Sequence, residues 1–294
     1  MTISADLVKE LRAITDAPMM ECKKALEKTG GNIKDAVEEL RKSGAAKADK
    51  KAGRTAAEGT IIVLTGNNNH DAVMLEINCE TDFVGRDSNF LEFSKNAANA
   101  ALTHKVTDVT KLSQLPITHN EKTTIEETRQ SLIAKIGENI QIRRAAGIHT
   151  NNPVYQYVHG NRIGVLVQLE GGNADLGKDI AMHIAASRPL VIAPENVPQQ
   201  LVEKEKEIFM AQAANSGKPA DIIEKMVTGR IKKFLDEVSL LGQPFVKNPD
   251  QTVAQVLKAA NAKVIHFERF EVGEGIEKKV ENFAEEVMAQ VRGS

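Results

Sequence analysis

The sequence predicts an α+β protein in which small antiparallel sheets are covered by helices. Three observations point there. Apolar residues recur at spacings of three and four over the first forty positions, apolar runs broken by turns fill Gly59 to Asn78, and the same strand-to-helix order returns after residue 160. At 294 residues the chain exceeds one ordinary compact domain, so several units are expected. The absence of Trp, the presence of only 2 Tyr and the Ala-rich stretches shift the balance toward helix.

Residues 4 to 43 read as three short helices. Leu7, Leu11 and Ile14 mark the first face, Met19, Cys22 and Leu26 the second, and Ile33, Ala36, Val37 and Leu40 the third. Pro18 suits a first turn, Gly30-Gly31 can end the second helix, and Asn32 with Asp35 three residues later resembles a capping box for the third. The basic Ala/Gly/Ser stretch from Arg41 to Arg54 has no apolar period and reads as an exposed linker. It carries no interleaved aromatics to stack on bases, so an RNA or ribosome contact is the weaker reading.

From Gly59 the pattern becomes a hairpin: Ile61 to Leu64, a turn at Gly66-Asn67-Asn68-Asn69, then Ala72 to Asn78. A loop holding Thr81, Asp82, Phe83 and Val84 follows, and then a helix starting near Asp87 or Ser88 with Phe90, Phe93, Ala97 and Ala101 on one face. An acidic helix over Thr124 to Ile136 and a strand from Asn139 to Arg144 complete a strand, strand, helix, helix, strand unit.

The order recurs weakly, with a strand at Arg162 to Leu169, a turn at Gly171-Gly172-Asn173, a helix carrying Ile180, Ile184 and Ala185, a helix at Val253 to Ala260 and a strand at Val264 to Phe270. Between about Pro189 and Leu241 two charged helices interrupt this second copy. Val227, Ile231, Phe234 and Val238 form a seam on the second of them, and a break at Ser216-Gly217-Lys218-Pro219 makes the pair an antiparallel hairpin. From Ile276 onward, Val280, Ala284, Val287 and Val291 predict a terminal amphipathic helix. The expected units are therefore 1–54, 55–145, 146–188 with 239–275, the inserted hairpin 189–238, and 276–294.

A net charge of −2 gives no general grip on nucleic acid, and any such role would have to be local. Cys22 and Cys79 are far apart and show no metal or redox spacing, so they read as buried apolar residues in a reducing compartment. The N-terminus lacks an export pattern, and Ile163 to Val167 is far too short to cross a membrane. A cytoplasmic protein is expected.

Catalytic patterns mostly fail. Gly172-Asn173-Ala174-Asp175-Leu176-Gly177-Lys178 has most of the phosphate-loop spacing, but Asp179 stands where a hydroxyl should hold Mg²⁺, and Asp175 puts an acid among the phosphates. The histidines are scattered without a metalloprotease pair, His183 reads as a packed helix residue, and Gly273-Glu274-Gly275 alone is too weak for a dinucleotide site. No catalytic residue, metal or cofactor is expected.

By composition alone Phe83 has two readings: folded back beneath the adjoining helix, which is the commoner fate of an aromatic after a strand, or held out on a rigid loop as a wedge for a partner's pocket. The surrounding motifs bear on that choice. Leu11 to Thr15 with Met19 to Leu26, Glu76 to Val84, Lys135 to Ile140, His159 to Val167, Gly242 to Val246 and Arg269 to Glu277 together resemble the bacterial translation elongation factor Ts family, nearly end to end.

The resemblance implies a ubiquitin-associated-like N-terminal module, a duplicated α+β core, an inserted coiled-coil hairpin and a C-terminal helical module. It also implies the activity: binding the GTPase elongation factor Tu and releasing its GDP, without a bond being made or broken. On this sequence Asp82 and Phe83 would be the intruding residues, flanked by Thr81 and Val84, disturbing the partner's Mg²⁺ and phosphate environment. A homodimer or 2:2 complex is compatible with the family. Pro18 stands where the family often has Gly, and Gly85 where it more often has Ala or Ser, which implies a more mobile loop here.

Overall fold

The computed structural model describes residues 3–15, 17–66, 69–120, 122–214 and 219–277. The predicted terminal amphipathic helix, Asn67-Asn68 of the first turn and Ser216-Gly217-Lys218 of the hairpin break lie outside them.

Three helices open the chain: α1 (Ala5–Thr15), α2 (Met19–Lys28) and α3 (Ile33–Lys51). Their shared core is Val8, Leu11, Cys22, Ala25, Leu26 and Ala36. Ile14 and Met19, which the spacing put on buried faces, are exposed at the adjoining ends of α1 and α2, past that cluster. Pro18 stands one position ahead of the first turn of α2 as its N-cap, where its missing N–H costs nothing. Asn32 caps α3 by accepting the Lys34 and Asp35 amides with its side chain, an ordinary Asx cap in place of the expected reciprocal box.

The basic stretch is not a linker. α3 runs through it to Lys51, with Gly44 and Ala48 buried. Small residues four apart let α3 lie close against the helix Ile125–Ile136: a Cβ on Gly44 would stand 3.7 Å from Gln130 O and 3.9 Å from Ala134 Cβ. Arg41 pairs with Glu127 and Lys47 with Glu21, so part of the basic charge is spent within the fold.

Strands β1 (Glu58–Thr65), β2 (Asp71–Cys79) and β3 (Gln141–His149) form one antiparallel sheet in that order. Between β2 and β3 run α4 (Ser88–His104), α5 (Val109–Ser113) and α6 (Ile125–Ile136). Asp87 caps α4, and Thr124 with Glu127 forms a complete capping box on α6.

The second sheet repeats the plan. β4 (Val154–His159), β5 (Ile163–Glu170) and β8 (Lys263–Glu271) pair antiparallel in that order, with α7 (Ala174–Ser187) and α10 (Val253–Ala259) between β5 and β8. β4 had no strand signal of its own, because an edge strand with mixed polarity lacks both an apolar run and a clean alternation. The small ribbon β6 (Pro244–Phe245) and β7 (Asn248–Thr252) precedes α10.

The sheets pack back to back. Val73, Leu75 and Ile77 of β2 face α4 and α6, whereas Ala72 and Met74 meet Leu166 of β5 and Phe270 of β8 in a core between the sheets. In the second unit Val165, Val167 and Leu169 of β5 face α7. Both middle strands are consequently buried on two faces, which explains their near-continuous apolar sequence. At Gly164 the two sheets lie in close contact. A Cβ there would stand 2.5 Å from Ile61 Cγ2 and 2.7 Å from Met74 Sδ.

Helices α8 (Gln199–Ala214) and α9 (Ala220–Val238) interrupt the second unit and pack on each other, with Val227 buried and Ile231, Phe234 and Val238 half-buried along the seam. Their base is tied to the core: Leu190 N–H donates to Val238 O at 2.8 Å, Leu240 N–H to Val191 O at 2.9 Å, and the Gln243 side-chain Nε2 to Glu237 O at 2.7 Å.

Candidate functional site

The segment after β2 leaves the sheet at Cys79 and must turn before α4 begins at Ser88. It does so through a one-turn 3₁₀ helix over Val84–Arg86. Gly85 N–H donates to Thr81 O at 3.2 Å, Arg86 N–H to Phe83 O at 3.1 Å, and Asp87 N–H to Val84 O at 2.9 Å. Val84 packs inward against the first core. With Val84 turned in, Phe83 is turned out and is 81% exposed.

That exposure overturns the commoner reading of Phe83 from composition. An aromatic folded beneath α4 would be covered, and Phe90, Phe93 and Val84 already fill that space. Asp82 is half-exposed beside it, and its Oδ2 accepts from the Arg86 guanidinium at 2.9 Å, four residues on. Gly85 sits within the turn, and a Cβ there would stand 3.4 Å from Gly59 O, an ordinary contact. The position tolerates the Ala or Ser that the resemblance would put there.

The base of the loop is held from the far side by the turn between α6 and β3. Glu138 Oε2 accepts the Glu80 amide at 3.1 Å and the Thr81 amide at 3.0 Å, while its Oε1 accepts the Thr81 hydroxyl at 2.6 Å. In return, the Asn139 amide donates to Glu80 Oε1 at 2.6 Å. Sequence reasoning singled out Glu138 and Asn139 only as part of a motif. Their function here was invisible because the partners lie nearly sixty positions away.

Cys79 is buried under this loop and its thiol donates to Thr81 O at 3.1 Å. Burial, and then the nearby charges of Glu138, Glu58 and Asp82, push the thiol up to about 12, so it stays protonated and unreactive. Hydrogen bonds from the Asn89 side chain and from the Phe90 and Asn89 amides hold the Asp87 carboxyl below its ordinary value, which keeps the cap of α4 charged.

A family model described as "Elongation factor TS" matches residues 80–274. Elongation factor Ts of Thioalkalivibrio sulfidiphilus is 58% identical over 296 residues, covering 100% of both chains. That of Legionella pneumophila (strain Paris) is 56% identical over 291 residues, with 99% of each chain covered, and that of Alcanivorax borkumensis is 57% identical over 287 residues, covering 98% of this chain and 100% of the relative. The chain belongs to the elongation factor Ts family.

An elongation factor Ts takes part in translation elongation, and the structure shows what the remaining candidate segments of the sequence do. Gly172 to Lys178 forms no phosphate loop: Asn173 caps α7 by accepting the Leu176 amide, helix begins at Ala174, and Gly177 lies against the Tyr155 ring. His183 is fully buried in α7, donating from Nε2 to Gln243 Oε1 at 2.9 Å and accepting the Val246 amide at Nδ1. Among the described residues no group of three His, Cys, Asp or Glu is arranged to hold a metal, and no helix is long and apolar enough to cross a membrane.

Proposed function

We propose that the chain is a guanine-nucleotide exchange factor that binds GDP-bound elongation factor Tu and speeds GDP release by pressing the Thr81-Asp82-Phe83-Val84 loop against the partner's Mg²⁺ and phosphate site, so that GTP can enter. The observation that carries this reading is Phe83, an aromatic 81% exposed at the tip of a loop whose base is hydrogen-bonded on both sides. Leaving a large aromatic in water is unfavourable unless a partner covers it.

The mechanism is reciprocal coupling: a protein that favours the nucleotide-free partner weakens nucleotide binding by as much as nucleotide weakens its own. Weakening by ~1000-fold requires about 4 kcal/mol, and burying one Phe contributes roughly 1.5–3 kcal/mol. Phe83 is therefore the point of the wedge and other contacts supply the remainder. The three N-terminal helices as a ubiquitin-associated-like module, the second sheet unit, α8 and α9 as a coiled-coil arm, and the C-terminal segment are the surfaces assigned to it. Units of 1–54, 55–145, 146–188 with 239–275, 189–238 and 276–294 follow from that assignment.

The experiment is stopped-flow release of a fluorescent GDP from elongation factor Tu in the presence of catalytic amounts of this protein. The expected result is release many times faster than buffer alone. Release at the buffer rate overturns the proposal.

A further inference from the structure

We infer that Glu138 is a positioning residue for the Asp82–Phe83 wedge, and that the turn Gly137-Glu138-Asn139 couples the end of α3 to that wedge. The inference rests on the exchange function proposed above and concerns what keeps the loop from yielding.

A wedge transmits force only if its base is stiffer than the site it enters. The hydrogen bonds inside residues 81–87 are all between near neighbours, so they shape the turn without fixing it to the body of the protein. Glu138 supplies that fixation. One carboxylate oxygen accepts two consecutive amides and the other accepts the Thr81 hydroxyl, so the two residues before Asp82 are held at three points, two of them on the backbone, by one side chain. Glu80 closes the arrangement by accepting the Asn139 amide.

The same turn also holds the end of α3. Lys51 donates to Gly137 O, and the buried Asn139 side chain donates to Arg54 O at 2.9 Å and to Ala52 O at 3.4 Å. The Arg54 guanidinium lies 3.6 Å from Glu80 Oε1. Gly137 itself ends α6 at φ +92°, with its amide on Ile133 O, so the turn is anchored to the helix that α3 packs against. Beside the direct Arg54–Glu80 contact, the chain of contacts from α3 to Thr81 thus passes through three consecutive residues. A force on the N-terminal helices reaches the loop by that route.

The chemistry of the side chain sets the test. Glu138→Gln keeps an oxygen for the two amides and an amide group for the Thr81 oxygen, whereas Glu138→Ala keeps none of it. With the full-length protein titrated into fluorescent-GDP-loaded elongation factor Tu, Glu138→Ala is expected to lower the maximal release rate by about 10- to 100-fold, the scale of a misplaced group at a reacting centre. The half-saturating concentration should move by less than about threefold, because surfaces elsewhere still bind, and Glu138→Gln should recover most of the rate. In a Phe83→Ala background, Glu138→Ala should add less than about twofold, since both act through one wedge. The double variant Lys51→Met/Asn139→Ala, which removes the side-chain ties to the end of α3 and leaves Glu138 in place, should lower the maximal rate by about threefold.

Hydrogen exchange without the partner separates loss of the loop's anchor from loss of the fold. Amides of Glu80 and Thr81 should lose protection in Glu138→Ala while those of β2 and α4 keep theirs. An unchanged maximal rate, a rate loss that multiplies with that of Phe83→Ala, or protection lost throughout the molecule overturns the positioning role. A normal rate for Lys51→Met/Asn139→Ala overturns the coupling to α3. A wild-type protein that fails to release GDP overturns the exchange reading, whatever the local protection shows.

Discussion

Glu76 Oε1, fully buried in the middle of β2, accepts the backbone amide of Gly273 at 2.8 Å, joining residues 197 positions apart. The same carboxylate receives the Arg143 guanidinium at 3.1 Å and the Arg144 Nε at 2.6 Å. The pairing register shifts between Glu76 and Ile77, so Arg143 and Arg144 together oppose Glu76, and the bulge brings consecutive side chains to one acceptor. Arg144 also lies over the Phe270 ring at 4.2 Å, which brings the last strand into the same cluster.

That cluster fastens one sheet to the other, so removing its centre should loosen both. Glu76→Ala leaves the Gly273 amide and two guanidinium groups without their acceptor, and breaking a buried pair on one side costs about 3–5 kcal/mol. Urea unfolding followed by circular dichroism should show a midpoint lowered accordingly. A shift too small to measure would mean that water replaces the carboxylate.

Phe83→Ala should separate function from stability. Losing the burial of one Phe on a partner corresponds to roughly a 10- to 150-fold slower GDP release. Because the ring is mostly in water in the free protein, the thermal midpoint should stay within about 1 °C of wild type. Equal release rates for both proteins would remove Phe83 from the site.

Gly177→Ala sets two effects against each other. Alanine is favoured over glycine in a helix by about 1 kcal/mol. A Cβ at this position, however, would stand 2.2 Å from Tyr155 Cγ and Cδ2, and a ring on β4 cannot swing aside as a flexible chain end could. Overpacking of this kind costs about 1–3 kcal/mol, so net destabilisation is expected in thermal melts. Stabilisation would show that β4 gives way freely.

His183 makes stability depend on pH. Burial lowers its pKa from the ordinary value of 6.5, against the opposing hydrogen bond to Gln243, so the folded protein keeps the ring neutral. Above the unfolded value the ring is neutral in both states and contributes nothing. As pH falls through and below it, the unfolded chain takes up a proton that the folded chain resists, and stability declines. The urea midpoint should therefore fall between about pH 7 and 5. His183→Gln, which can still donate to Gln243 and accept from Val246, should flatten that part of the profile.

Much of the fold is legible along the chain because its signals are local. Asp87 and Thr124 announce α4 and α6 through side chains that reach amides two or three residues on, and the apolar runs of β2 and β5 announce strands covered on both faces. Other elements escape the sequence. α3 continues beyond its predicted end through a stretch whose buried residues are Gly44 and Ala48, too small to register as apolar period, β4 is an edge strand whose Val, Gln, Tyr and His obey no single pattern, and α5, β6 and β7 are too short to show a period.

The loop Thr81 to Val84 divides along the same line. Its sequence, with the motifs around it, sufficed to place the chain in a family and to name Asp82 and Phe83 as the residues to watch. Whether Phe83 was covered or exposed could not be read there, because both outcomes share the same local composition. The tertiary structure decided it by filling the space under α4 with Val84, Phe90 and Phe93, and by bringing Glu138 to the Thr81 hydroxyl from 57 positions away. Caps, periods and turns are set by neighbours in sequence. The exposure of a side chain and the partners of a carboxylate are set by what the rest of the chain brings beside them.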